Sequence, residues 1–346
     1  MDSPDGVVPS RLVDALDERL LADGARPHSE VPRLLALPAM VAELRAAAAD
    51  PVASDGRRDA AAAELRRLAA DGVPGADPAT WWGALPLSDV RPVRDDDEPV
   101  WVSPSKVERF STCGLQWLLE SCGGSSGPGP SQSVGTLVHD VATLAVDAGV
   151  ELDTLLARLD ESWEQLDLGG PWYSRHQREE ARKMLERLRT WLGRKGAREL
   201  IGCELDFEVE LGRAVLRGRV DRLERDKEGR LVAVDLKTGT TRPRKADLDS
   251  HPQLGAYQAA VESGGFAEYG QSSGGADLVY LKGSTSVLPQ GALSGSDDPG
   301  WAEQLIRRVA DGMAAATFVA TENKHCRMCP VATSCPLVAR GRQVTG

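Results

Sequence analysis

Long apolar runs are missing from this chain of 346 residues: none approaches the roughly 20 consecutive apolar residues that a bilayer-spanning helix needs. The opening stretch, MDSPDGVVPSR, lacks the hydrophobic core of a secretory signal. Both absences place the chain in the cytoplasm with no membrane partner. No Gly-x-x-x-x-Gly-Lys-Ser/Thr phosphate loop occurs, so the sequence offers no ATPase or helicase motor. A surplus of positive charge is also lacking: 41 Lys and Arg against 52 Asp and Glu give a net charge of −11. That excludes a general nucleic-acid coat protein, because phosphate binding rests on Lys and Arg, but it is compatible with a local basic channel. In a cytosolic chain the six cysteines point to metal ligation or free thiols before disulfides.

Composition divides what is present. Residues 1–75 carry Ala-, Leu- and Arg-rich helical patterns broken at Pro27, Pro32, Pro38 and Pro51, with Leu12, Leu16 and Leu20 on one face and Leu65 and Leu68 on another. This reads as a helical packing region. Residues 76–100 turn to Gly, Pro and acid, ending in Asp95-Asp96-Asp97-Glu98, and read as a linker anchored by Trp81 and Trp82. From 101 to 346 helical and strand patterns alternate. Ser103 is a candidate N-cap with Pro104 behind it, and Cys113 falls in that helix or at its break. A flexible loop over Gly123 to Pro130 precedes VGTLVHDVATLA, whose buried stripe leaves His139 on a face with Gly135 and Ala142. Helices follow at about 151–166 and 173–196. The second carries nine Lys or Arg against four Glu between Trp172 and Glu199: Arg175, Arg178, Arg182, Lys183, Arg187, Arg189, Arg194, Lys195 and Arg198. A solvated face and a DNA-backbone contact are equally open readings of it. A strand over Glu204 to Leu211 alternates Glu204, Asp206, Glu208 and Glu210 on a face expected in solvent; Glu204 or Glu208 is a secondary candidate for a metal site.

The chemistry concentrates in GRVDRLERDKEGRLVAVDLKTG, residues 218–239. Two β-rich runs flank the turn residues Asp226 to Gly229, and the second run is apolar enough to be buried on both faces. A turn centred near Glu228 makes Asp221 and Asp235 cross-strand neighbours, with Cβ atoms roughly 5 Å apart. Like charges placed so are destabilising; a shared proton, a basic partner such as Lys237, or a divalent cation would each offset the repulsion. Two carboxylates on Mg2+ or Mn2+ beside an ammonium also suit phosphodiester hydrolysis. Beyond the strand, Arg242, Arg244 and Lys245 are placed to reach phosphate, and HPQLGAYQAAVE puts Gln253 and Tyr257 on one helix face. Strand ADLVYLK and a helix from Trp301 to Ala315 follow. At the C-terminus Cys326-x-x-Cys329 and Cys335, with Cys113 far upstream, make a four-cysteine metal site, zinc or 4Fe-4S, in which His325 could replace a thiol for zinc.

Asp221 followed by Asp235-Leu236-Lys237 resembles the PD-(D/E)XK nuclease superfamily in its RecB-like branch. SPSKVERFSTC resembles the start of RecB-type nuclease modules, Gly135-x-x-x-His139 and Gln253-x-x-x-Tyr257 match further motifs in the family's order, and the cysteine tail resembles the iron-sulfur staple of AddB-type and AdnAB-type helicase-nucleases. The resemblance implies an α/β fold: a restriction-endonuclease-like core with a central mixed β-sheet flanked by helices, here preceded by a helical region. It implies a divalent-metal-dependent DNA nuclease acting on single-stranded ends in break repair and recombination. His139, Asp221, Asp235 and the Leu236 carbonyl would bind Mg2+ or Mn2+, Lys237 would position water or stabilise phosphate, and Gln253 and Tyr257 would orient the lysine or contact DNA. Cys113, Cys326, Cys329 and Cys335 would hold 4Fe-4S. Such a module sits in a helicase-nuclease, so a partner subunit would supply the motor, and residues 1–75 resemble the tail of a motor part. The competing expectation is a DNA-binding or scaffold module of a repair complex without catalysis.

Overall fold

The computed structural model describes residues 36–81, 90–124, 129–146, 149–194 and 198–338. The Leu12, Leu16 and Leu20 stripe, Pro27, Pro32, Trp82, Lys195 and the middle of the Gly123 to Pro130 loop lie outside these residues. The chain divides into two compact units after Pro86, within the stretch expected as linker. In the first, α1 (Leu37–Ala49) and α2 (Asp55–Ala70) form a helical pair whose small core is Val41, Leu65, Leu68 and Ala76. Trp81 folds back on it, donating its indole N–H to the Gly75 carbonyl at 2.7 Å with the Arg45 guanidinium 4.8 Å from its ring centroid.

The second unit begins with β1 (Val100–Val102) and runs through α3 (Pro104–Thr112), α4 (Gly114–Ser121), α5 (Pro130–Ala142), α6 (Leu152–Trp163) and α7 (Pro171–Arg194). Then come β2 (Glu199–Leu211), β3 (Ala214–Arg225), β4 (Leu231–Lys237), α8 (Pro252–Glu262), β5 (Ser273–Tyr280), β6 (Ser286–Gln290) and α9 (Trp301–Ala314). The strands form one six-stranded mixed sheet. Ser103 caps α3 as expected, its hydroxyl accepting the Lys106 N–H, and Cys113 sits at the break between α3 and α4. Strands β1 and β6 are too short, or too interrupted by Pro289, for alternation to reveal them.

Every residue of β4 except Lys237 is buried, because the strand has helices on both faces. Leu231 and Ala233 pack with Leu254 and Tyr257 of α8 and Ile306 and Val309 of α9. Val234 and Leu236 pack on the other face with Val138 of α5, Leu155 of α6 and Leu185 of α7. The β3–β4 turn is closed by Asp226, whose carboxylate accepts the N–H groups of Glu228 and Arg230, and by Gly229 at φ 79°, a conformation that glycine adopts without strain.

Two irregularities place the site. Strand β2 occupies one edge of β3 along its whole length, whereas the other edge is shared: β1 pairs with Ala214–Leu216 and β4 with Arg222–Arg225. Residues 217–221 therefore have no strand partner on that edge. Val220 and Leu223 also pack in the same core although residues three apart in a regular strand face opposite ways, so β3 bends between them. On β2, Glu204 has φ 52°, the one positive value for a non-glycine among the described residues. The β3–β4 pairing stops at Arg222 and Val234, in the register that sets Asp221 against Asp235.

Candidate active site

Where the β3–β4 ladder stops, side chains replace it. The Leu236 N–H donates to Asp221 Oδ2 at 2.6 Å, and the Tyr257 hydroxyl donates to the Arg219 carbonyl at 3.3 Å. Tyr257 and Gln253, which periodicity alone would leave on the helix surface, are both buried because α8 lies against β4. They converge on Asp235: the Gln253 amide donates to Asp235 Oδ1 at 2.7 Å and the Tyr257 hydroxyl lies 3.2 Å from the same oxygen. The Gln253 carbonyl accepts from Lys237 Nζ at 2.7 Å, so one glutamine fixes both ends of the Asp-x-Lys pair. Lys237 Nζ also pairs with Asp235 Oδ2 at 2.8 Å.

His139 on α5 faces the gap, its Nδ1 3.4 Å from Asp221 Oδ1. Gly135, one helical turn earlier, lets α5 approach the end of β4: a Cβ there would stand 2.8 Å from Thr238 Oγ1. With Glu204, His139 and Asp221 form the one group among the described residues whose candidate ligand atoms all lie within 4.8 Å of one another. Asp235 falls outside that group, and Leu236 meets the site through its N–H. Sequence alternation set Glu204 with the outward acids of β2, and Asp206, Glu208 and Glu210 are indeed exposed. The bend at Glu204, which alternation does not encode, turns its carboxylate to Asp221. Arg219, Gln177, Thr238 and Lys282 also line the open cavity of about 720 Å³ around this group, and no motif marked them.

Electrostatics follow from crowding His139, Glu204, Asp221, Asp235 and Lys237 into a half-buried space. Burial, then repulsion by Asp221, pushes Asp235 up to about 6 against the pull of Lys237. Burial and Asp221 also raise Glu204. For His139, burial opposes the charged ring but Asp221, Asp235 and Glu204 outweigh it, and its pKa rises. Lys237 behaves alike: burial lowers it, Asp235 more than compensates, and the ammonium stays charged. Burial and the carboxylates hold Tyr257 well above its usual range, so it remains a donor. Two carboxylates and an imidazole, with the buried Asp235 carboxylate alongside, form a donor set that fits a hard divalent cation such as Mg2+ or Mn2+.

The expected basic contacts are largely engaged elsewhere. Arg178 and Arg182 hold Asp160, Lys183 holds Glu180, Arg187 and Arg189 donate to carbonyls, and Arg198 holds Asp277. These bonds tie most of the basic side chains of this segment to neighbouring elements. Arg242 donates to Ser284 O and Arg244 pairs with Asp247, both at the exposed surface near Lys245.

The cysteines approach one another from the two ends of the second unit. Cys113 Sγ accepts the N–H groups of Gln116 at 3.4 Å and Thr321 at 3.5 Å, and Cys326 Sγ accepts that of Asn323 at 3.2 Å. Burial, with the nearby thiols of Cys113, Cys335 and Cys326, raises Cys329. Cys122 and Cys203 are not part of this set: one is exposed, and the other lies beside Arg222.

The family model described as "PD-(D/E)XK nuclease superfamily" matches residues 101–336. A solved structure described as "Crystal structure of SSO0001" is similar over 71% of this chain and 88% of its own, at 16% identity and a TM-score of 0.34, too distant to inform the site. No curated protein matches the chain.

Proposed function

The chain belongs to the PD-(D/E)XK nuclease superfamily, and from that premise we propose that it is a divalent-metal-dependent DNA phosphodiesterase that removes nucleotides from single-stranded ends during break repair, as the nuclease module of a helicase-nuclease. The observation that carries the chemistry is the meeting of His139, Glu204 and Asp221 with the Asp235–Lys237–Gln253–Tyr257 network at the break in the sheet. His139, Glu204 and Asp221 would hold Mg2+ or Mn2+, with Asp235 Oδ2 and the Leu236 carbonyl as further oxygens. A bound cation supplies Lewis acidity toward phosphate and water. Asp235 keeps Lys237 protonated, which suits the lysine to stabilise charge developing on phosphate and not to remove a proton. Gln253 fixes the distance between these two groups, and Tyr257 holds the bent β3 strand against them.

Wild type and Asp235→Ala should be compared for Mn2+-dependent cutting of end-labelled single strands and duplexes. Loss of cutting in the variant is expected. Equal activity in highly purified preparations, or DNA binding with no cutting by wild type, would replace this reading with that of a scaffold module.

For the cysteines we propose a 4Fe-4S cluster on Cys113, Cys326, Cys329 and Cys335, clasping the tail to the first helices of the module. In support, the thiols of Cys113, Cys326 and Cys335 are near enough to Cys329 to raise it, and the Thr321 N–H reaches Cys113 Sγ at 3.5 Å. Anaerobically purified protein should carry iron and sulfide near four per chain; stoichiometric zinc without iron would refute the cluster.

A further inference from the structure

We infer that the exposed sheet face around Trp101 is a nucleobase-stacking subsite that holds single-stranded DNA on its approach to the His139–Glu204–Asp221 group, an inference that rests on the DNA-cleavage reading above. Trp101 is the middle residue of β1, between Val100 and Val102, which are 4% and 1% exposed; Trp101 itself is 40% exposed. The neighbours supply the packing, so the indole is free for another use. A large aromatic face left in solvent, ringed by cations, is how sequence-tolerant single-strand binders are built.

The pairing of β1 with β3 sets Trp101 beside Val215, so Trp101, Arg217 and Arg219 share one face of the sheet. Asp221 is six residues beyond Val215, roughly 20 Å at strand rise. Arg219 lines both the cavity around the metal-ligating group and an open cleft of about 640 Å³ at Trp101, so the two adjoin at that side chain. The Arg94 and Arg217 guanidinium groups stand 5.7 and 5.9 Å from the Trp101 ring centroid, at the outer limit of cation–π contact. A base can therefore enter against the ring while both arginines turn to its flanking phosphates.

Charge in the cleft is mixed. Lys106 and Arg217 form no ion pair among the described residues. Across the β2–β3 ladder Asp206 holds its register partner Arg219 at 2.7 and 3.2 Å, and the exposed Glu208 is the register partner of Arg217. The cations without an ion pair, Lys106 and Arg217, are the ones left to meet phosphate. The occupant is a single strand and not a duplex, because paired and stacked bases offer no open face to an indole.

The test uses the full chain with Ca2+ and a fluorescent oligothymidylate, reading anisotropy for wild type, Trp101→Ala, Trp101→Phe and Arg217→Ala. Loss of the indole should weaken single-strand binding by roughly 5- to 150-fold, and Trp101→Phe should restore most of it. One abasic position in the oligonucleotide should reproduce the loss in wild type and add nothing in Trp101→Ala. Wild-type binding with an unchanged Kd in Trp101→Ala, or a loss equal for duplex and single strand, overturns the subsite alone. If wild type neither binds nor cuts single strands, the DNA-cleavage reading fails and this inference with it.

Discussion

Asp221 accepts the Leu236 N–H at 2.6 Å, taking over a backbone group that the sheet leaves free where β3 and β4 part. The same carboxylate is 3.4 Å from His139, so one side chain both closes the end of the ladder and opens the ligand group. A residue with those two duties is poorly replaced: an amide at 221 could keep an acceptor for the Leu236 N–H only by turning its NH2 donor toward His139 and the ligand group.

Glu204 should behave as a ligand and Glu208 should not. Glu204→Gln is expected to lower Mn2+-dependent cleavage at limiting metal by on the order of 100-fold, the scale of lost metal-site interactions, whereas Glu208→Gln, on the exposed face, should stay within about twofold. Metal titrations of cleavage rate check this; similar effects from both variants would remove Glu204 from the site.

Asp235 gives stability a defined pH dependence in the absence of divalent ions. Its folded pKa, pushed up to about 6, exceeds the ordinary 3.8, so the fold favours the neutral carboxyl. That contribution is complete below about pH 4 and is lost as pH rises through about 6. Between pH 4.5 and 7 in EDTA, wild type should lose about 2 kcal/mol relative to Asp235→Asn. Urea titrations at both pH values measure the difference, and curves that run parallel would show that Asp235 is ionised throughout.

Gln253 and Tyr257 should separate in their effects. Gln253→Leu removes the bridge between Lys237 and Asp235 and is expected to reduce kcat by roughly 10- to 100-fold with little change in the metal concentration required. Tyr257→Phe removes hydrogen bonds to Arg219 O and Asp235, and should cost about 1–2 kcal/mol of stability. Single-turnover rates and denaturant melts resolve the two; a shifted metal requirement in Gln253→Leu would make it part of the ligand set.

Gly255→Ala tests the packing beneath the site. In an exposed helix the change would stabilise by up to about 1 kcal/mol, but here the new Cβ would collide with the Trp301 ring. Overpacking is expected to dominate, with a loss of about 1–3 kcal/mol. Thermal melting would show the sign directly, and an increase in Tm would mean that Trp301 moves aside freely.

The sequence carried much of this arrangement because its signals are local. The turn at Asp226 to Gly229 sets the hairpin register, and the spacing of Gln253 and Tyr257 sets one helix face, so Asp221, Asp235, Lys237 and both α8 residues could be brought together before any coordinates. Glu204 is no more than a secondary candidate in the sequence because alternation predicts the outward face and says nothing of a residue with φ 52°. The commitments of the α7 arginines to Asp160, Val150 and Leu281 arise from tertiary neighbours far along the chain, which charge counting does not see. Trp101 belongs to a three-residue strand, shorter than any periodicity.

The junction at Cys113 has a consequence for biosynthesis. The first turn of α4 gives its Leu115 N–H to the Val319 carbonyl, and the Cys113 sulfur receives the Thr321 N–H from 208 residues downstream. A ribosome therefore releases α4 long before the segment that completes its start has been made. The PD-(D/E)XK domain can reach its final form only after nearly all of it has been translated, and a prematurely truncated chain would carry β3 and β4 with their first helices unfastened.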